Sequence, residues 1–404
     1  MFETLFHQNA ALLRHRTGPL VEERKRYLRH CASHGATAGE LRKRAKCLLW
    51  IAGRLSADDS DGIDAARLHA IVYRPPSPGP AMASVFVELA RPWLKFLGRW
   101  REEHELIPCA EHLERYVAWM RYERGLSPAT VDVRRRRIAH FLRWCGRTDR
   151  DLATLRADDL DAYFVGFADQ WSRVSVATMA NGLRVFLRYA VSTGSCRQGL
   201  PESILIPRTY RLESLPYALS WEEVRRLLAS ATSDSARDVR DRAILMLLAI
   251  YGLRRGEVAA LRLDQIDWTR RRLYIHRLKR RQPQVYPLQR SVAEALSLYI
   301  DTVRPPVPHP EVFIRLQAPR QPIGAGAIYH VVSQRLRELG VSVAHFGPHA
   351  LRHSCAAKLL ASELTLKEIG DHLGHRSAAA TMIYLKVDMH ALREVGAFDL
   401  GDLP

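Results

Sequence analysis

Three short segments in the second half of this chain gather side chains that bind phosphate and handle protons. Tyr251-Gly-Leu-Arg-Arg-Gly-Glu257 closes an apolar stretch, His349-Ala-Leu-Arg-His353 follows Gly347-Pro348, and Leu373-Gly-His375 precedes Thr381-Met-Ile-Tyr384. His349 and Arg352 stand three positions apart, so on a helix both project from one face toward one ligand. Arg254 adds a second guanidinium, with Arg255 as its rival for that place. Two guanidinium forks with imidazoles match a phosphate and the charge that grows on its oxygens during transfer. A tyrosine offers a nucleophile whose ordinary pKa, about 10, needs cationic neighbours to be useful near neutrality. Neither a carboxylate pair nor a metal-ligand set accompanies these groups, which disfavours two-metal phosphoryl chemistry.

In order, the chain shows Gly-Leu-Arg…Glu, then a lysine beside strand-like residues, His-x-x-Arg, Leu-Gly-His, and a tyrosine nine residues after that histidine. This order resembles the tyrosine recombinase (phage integrase) family, in its Xer-like branch. The resemblance covers roughly residues 105–390. His-x-x-Arg alone occurs by chance; the specificity lies in five motifs with matching order and spacing. The resemblance implies that Arg254 and Arg352 clamp a scissile phosphate. It further implies that Lys279, eight residues before Pro287, protonates the leaving 5′ oxygen. His349 would handle a proton, His375 would hydrogen-bond the phosphate, and Tyr384 would attack, leaving a 3′-phosphotyrosyl link and a free 5′ hydroxyl. Such an exchange trades one phosphoester for another, so no cofactor, no ATP and no chemically required metal are expected.

The implied partners are double-stranded DNA recombination sites and a homotetramer assembled on paired sites, with accessory recombination proteins as a further class. A short helix over Met389–Val395 would dock on the neighbouring protomer. One departure stands out: the family usually flanks its hairpin lysine with glycine, whereas this chain has Lys279-Arg280-Arg281. Arg280 and Arg281 are therefore candidates for backbone phosphate. Glu257 is expected to orient an arginine, and His353 and His372 to be structural. The alternatives are a type IB topoisomerase-like enzyme and an inactive sequence-specific DNA-binding regulator on the same fold.

Charge points the same way. Sixty-one Lys and Arg against forty-three Asp and Glu leave the 404-residue chain at +18. That excess favours an anionic partner, nucleic acid before a membrane surface, with a solvated basic exterior as the plain alternative. The longest uncharged apolar window, Ala243–Tyr251, is about half a membrane span. No membrane association and no export signal are expected, and the six cysteines, which form no CxxC pair, suit a reducing cytoplasm.

These groups need a scaffold that is mainly α. The expected layout is an extra helical N-terminal region over 1–104, a helical core-binding (DNA clamp) domain over 105–200, a linker over 201–214, and a catalytic domain over 215–404. That catalytic domain is a mostly helical α+β fold with a small antiparallel sheet. Leu20–Cys31, Glu40–Leu55 and Ser84–Glu103 carry helical periodicity in the first region. Within the clamp, Ser127-Pro128 reads as a helix start. The helix Ala129–Trp144 sets Val133, Ile138, Phe141 and Leu142 opposite Arg134, Arg135, Arg136 and Arg137. Arg134, Arg135, Arg184 and Arg188 are the candidate phosphate contacts, against the plain reading of a solvated helix face. In the catalytic domain, Ser220-Trp-Glu-Glu223 has capping-box spacing, and Arg272–Arg277 and Gln284–Leu288 alternate like two strands. After Ser291 the helical period is expected to run to about Gly396. The first region is an arm-type DNA reader, an oligomer contact or a partner surface.

Overall fold

The computed structural model describes residues 1–102, 107–208, 218–277, 283–341, 346–375 and 381–382. It is mostly helical, with one three-stranded antiparallel sheet. The chain forms two compact units: one takes residues 1–61, 69–99 and 214–404, the other 62–68 and 100–213. Most of the first hundred residues therefore fold with the C-terminal half. Among the described residues, no helix is long and apolar enough to cross a membrane.

The second unit is built on helices Ala110–Tyr122, Pro128–Arg147, Ala157–Gly166 and Arg173–Ser192. Ser127 Oγ accepts from the Thr130 amide at 3.3 Å, and Pro128 occupies the first turn, where its missing N–H costs nothing. Tyr116, Phe141, Tyr163, Leu183 and Phe186 fill the core between these helices.

In the first unit, the helix Ala236–Tyr251 is buried almost all round from Ala243 to Ala249 and forms the axis of the core. Ser220 Oγ accepts from the Glu223 amide at 3.2 Å and the Ser220 amide donates to Glu223 Oε2 at 2.7 Å, the reciprocal cap that the sequence spacing anticipates. Strands β1 (Ile266–Asp267), β2 (Arg272–Ile275) and β3 (Gln284–Pro287) pair in that order, with Leu273 opposite Tyr286.

The expected unbroken helical run after Ser291 does not form. Helix Arg290–Leu298 and the wider turn Tyr299–Val303 give way to irregular chain up to Gly324, and helix resumes only at Ala325–Glu338. Pro305, Pro306, Pro308, Pro310, Pro319 and Pro322 account for this, since each lacks an N–H and crowds the preceding turn. Arg304 holds the segment by donating to the carbonyls of His309, Glu311 and Val312. The third N-terminal helix likewise runs Pro80–Phe96 rather than Ser84–Glu103, ending before Gly98 at φ 69°. Two further helices, Pro348–Leu360 and Leu366–Leu373, complete the part that carries the site.

Candidate active site

Arg254 is placed by a sharp helix exit. Gly252 ends helix Ala236–Tyr251 at φ 58°, and a Cβ there would lie 2.6 Å from Leu373 Cδ2, so neither the backbone nor the space admits another residue easily. Arg254 then precedes the short helix Arg255–Ala259. Its amide donates to Glu257 Oε2 at 2.8 Å, its Nη1 to Glu257 Oε1 at 2.8 Å, and its Nη2 to the Gly374 carbonyl at 3.3 Å. Arg352, one turn into helix Pro348–Leu360, is 3% exposed and donates to the carbonyls of Gly252 and Leu373, each at 2.6 Å. One guanidinium thus ties the helix exit before Arg254 to the turn before His375.

The histidines lie around these two arginines. His349 is exposed in the first turn of its helix, with its ring 6.1 Å from that of His353. His375 Nδ1 and Thr381 Oγ1 share a hydrogen bond of 2.8 Å. Loss of solvent, then the charges of Arg352, Arg254 and Arg277, and finally His353, push His375 down to about 4. The same cause, followed by Arg352, Arg254 and Arg255, lowers His349. His353 falls to about 4 through burial, then His349 and Arg352. Burial is the larger cause for all three, and for His349 and His375 the charges that add to it belong to arginines that an anion would neutralise.

Four sequence-predicted residues therefore converge: Arg254, His349, Arg352 and His375. Lys279, Arg280, Arg281, Tyr384 and the segment Met389–Val395 lie outside the described residues. Glu257 holds Arg254, in keeping with its expected orienting role, and holds a second arginine that sequence reasoning missed. Arg277 Nη1 meets Glu257 Oε2 at 2.5 Å, with both side chains 2% exposed. The signal was present in the alternation: Leu273 and Ile275 point inward, and the next residue in that period of two is Arg277. For Glu257, burial raises the pKa, but the hydrogen bond and charge of Arg277, followed by Arg254, outweigh it and leave the carboxyl below its ordinary value. The ring of His372 packs edge-on against Tyr286, with centroids 5.2 Å apart.

The clamp candidates are less uniform. Arg134 and Arg188 share a cleft of about 370 Å³ with Trp119, Arg124 and Tyr189. Arg135 pairs with Glu114 at 2.8 Å, and Arg188 lies 3.5 Å from Glu202. Arg184, expected to face solvent, donates instead to the carbonyls of Pro201 and Ile204, at 3.2 and 2.5 Å. Among the described residues, no group of three His, Cys, Asp or Glu side chains could hold a metal ion.

Residues 218–391 match the phage integrase family, and residues 113–194 match the N-terminal SAM-like domain of phage integrases. The tyrosine recombinase XerC of Pseudomonas syringae is 31% identical over 293 residues, covering 70% of this chain and 94% of that protein. XerD of Mycobacterium tuberculosis is 30% identical over 306 residues, covering 71% and 96%. Among solved structures, a lambda integrase dimer bound to a COC′ core site aligns over 68% of this chain and 94% of that chain, with TM-score 0.54 and 18% identity. XerH bound to palindromic difH, a post-cleavage complex, covers 88% of this chain and 96% of that chain, with TM-score 0.54 and 17% identity.

Proposed function

Because the chain belongs to the phage integrase family of tyrosine recombinases and is a site-specific DNA recombinase, we propose that it cuts and rejoins duplex DNA through a phosphotyrosine. The observation that carries this reading is that Arg254 and Arg352 bind the two turns that lead into Arg254 and His375, with His349 three residues before Arg352 on the same helix. Two guanidiniums there supply fixed positive charge where a pentavalent phosphorane would gather negative charge.

In this reading Tyr384 Oη attacks the scissile phosphorus, and the bond to the 5′ oxygen breaks as the bond to tyrosine forms. The proton leaving Tyr384 passes toward His349, and Lys279 protonates the departing 5′ oxygen. His375, Arg254 and Arg352 donate between them to the two non-bridging oxygens. The 5′ hydroxyl of a second strand then attacks the phosphotyrosine and restores a phosphodiester. One ester is exchanged for another, so no bond energy has to be supplied by ATP. Arg134, Arg135, Arg184, Arg188, Arg280 and Arg281 are the proposed phosphate contacts. Arg184 would reach DNA only by leaving its two carbonyls. A homotetramer on two paired sites completes the proposal, which rests on the tetramer seen for lambda integrase bound to a Holliday junction.

The test is covalent trapping. Protein and its Tyr384→Phe variant are mixed with nicked duplexes from DNA flanking the gene, without added metal, and denatured in SDS. The expected result is a stable adduct on the 3′ side of a defined break with the native protein alone. Tight sequence-specific binding with no adduct would support the regulator instead, and relaxation of supercoils without site preference would support the topoisomerase.

A further inference from the structure

Arg277 is assigned no role by the recombinase chemistry above, yet its guanidinium bonds four residues beside the site, Glu257, Gln284, Tyr286 and His372. Its residue is 3% exposed. Nη1 donates to Glu257 Oε2 at 2.5 Å, Nε to Gln284 Oε1 at 3.0 Å, and Nη2 to the His372 carbonyl at 3.2 Å and to the Tyr286 hydroxyl. The Tyr286 hydroxyl in turn donates to that same His372 carbonyl, and Gln284 Nε2 donates to the carbonyls of Asp371 and His372, at 2.6 and 3.0 Å. A Cβ on Gly374 would lie 2.6 Å from Arg277 Nε, so the guanidinium lies directly against the backbone whose carbonyl binds Arg254 Nη2.

A purely structural ion pair would need only one carboxylate and one strand. Here the arginine touches both things that fix Arg254, its carboxylate partner Glu257 and the Gly374 turn, and that turn leads directly into His375. We propose that Arg277 is a positioning residue for phosphoryl transfer, holding Glu257 and the 372–374 turn at once so that Arg254 and His375 address the same phosphate. This rests on the recombinase reading and extends it to a residue buried behind the reacting groups.

The physical consequence of removing Arg277 is specific. Glu257 becomes a buried carboxylate with Arg254 as its remaining cation, so it draws that guanidinium toward itself and away from substrate. It also loses the contact that outweighs its burial, so it takes up a proton at higher pH than in the native protein. The charged or titratable groups facing Glu257 are Arg254 beside it in sequence, and Arg277 and Tyr286 from the hairpin.

The test uses full-length protein and single-turnover cleavage of a nicked duplex, with duplex affinity and thermal melting measured alongside. Arg277→Met is expected to lower the cleavage rate by about 100-fold, the scale of a small misplacement of a catalytic group. Affinity for the duplex should change far less, and the acid side of the rate profile should gain a new loss below neutrality. Adding Glu257→Gln to Arg277→Met removes the proton-binding group, and the new acid-side loss should vanish. Arg277→Lys keeps the charge on Glu257 but has no fork to span Glu257 and the turn, so its rate should fall between the two. If Arg277→Met does not fold, Arg277→Lys against the native protein carries the test through rate and pH profile. Variants that cleave at the native rate with an unshifted pH profile overturn the inference while leaving the recombinase reading intact. Absence of a Tyr384-dependent adduct in the native protein overturns that reading first, and this inference with it.

Discussion

His375 and Thr381 are joined by a 2.8 Å hydrogen bond between Nδ1 and Oγ1, and Thr381 is 1% exposed, three positions before Tyr384. The bond fixes the imidazole plane and aims Nε2 away from Thr381. It also anchors the start of the segment that leads to the proposed nucleophile. Thr381→Val keeps the volume and removes the bond, so cleavage should slow about 10-fold to 100-fold, as when an outer partner of a working side chain is lost. Thr381→Ser should remain near native. Gly370 provides a second route to the same defect, because a Cβ there would lie 2.9 Å from Thr381 Oγ1. Single-turnover adduct formation for Gly370→Ala should therefore resemble that of Thr381→Val; a native rate in both would separate Thr381 from the reaction.

Arg352 should be intolerant even of lysine. Its two bonds to the carbonyls of Gly252 and Leu373 use a planar fork, which an ammonium does not present. Arg352→Lys leaves one of two buried carbonyls without its donor, at about 1–3 kcal/mol. It also loosens both turns that carry Arg254 and His375. Denaturant unfolding should shift by that amount, and adduct formation should fall by about 10²–10³, the scale of losing one transition-state donor. A lysine variant that cleaves within a few-fold of native would show that charge alone, without the fork, is sufficient.

How the sequence carried this site can be seen in particular residues. Arg254, His349, Arg352 and His375 were legible because each lies in a short motif whose local geometry is set by nearby glycine or proline: Gly252 before the first, Gly347-Pro348 before the second pair, Gly374 before the last. Capped helices such as the one starting at Ser220 were legible for the same reason, since a cap is decided within four residues. The inward direction of Arg277 was legible in the strand alternation but its connection to the site was not, because Glu257 and His372 lie 20 and 95 residues away and only tertiary packing brings them to it. The break after Val303 was missed because apolar residues between prolines mimic helical spacing, while the prolines decide the backbone. Arg184 read as solvent-facing by periodicity, yet the one-turn helix Leu200–Ser203 and its C-cap Ile204 take its donors through the carbonyls of Pro201 and Ile204.

Acid should destabilise the protein well before its carboxylates titrate. His15, His353 and His375 are each pushed from 6.5 down to about 4, and His349 and His372 are lowered too. Below pH 6.5 the unfolded chain binds protons that the folded chain refuses, so stability is full near neutrality and is lost as pH falls from about 6.5 toward 4. Urea midpoints taken from pH 7.5 to 4.5 should fall across that window, and His353→Gln should flatten part of the slope. A bound phosphate reverses the sign locally, because its charge offsets Arg352 and Arg254 and raises His375 and His349. DNA binding at pH 5.5 should therefore take up protons, visible as a dependence of the binding heat on buffer ionisation enthalpy. A binding heat that is the same in all buffers would place the histidines away from the phosphate.

The N-terminal helices are bonded to the loop that interrupts the catalytic helices, and that contact should contribute to the stability of the whole unit. Thr37 and Glu40 cap helix Ala38–Ala52, and Glu40 Oε1 also accepts from the Ala318 amide at 3.3 Å. Arg44 Nη2 donates to the Ala318 carbonyl at 3.0 Å, and Arg320 Nε donates to the Gly35 carbonyl at 2.9 Å. Leu28, Leu48, Ile51 and Trp93 are fully buried, on helices that pack against one another. Each bond is worth about 1 kcal/mol on its own, so Arg44→Ala with Arg320→Ala should shift unfolding by about 2 kcal/mol without altering the adduct formed at a single site. Deleting residues 1–104 removes the helical partner as well as the bonds, and should lower the melting temperature of what remains by more than the double substitution does. A truncated protein that melts at the native temperature would mean that residues 1–104 make no stabilising contribution to the C-terminal half, and would leave that region to a partner or to DNA alone.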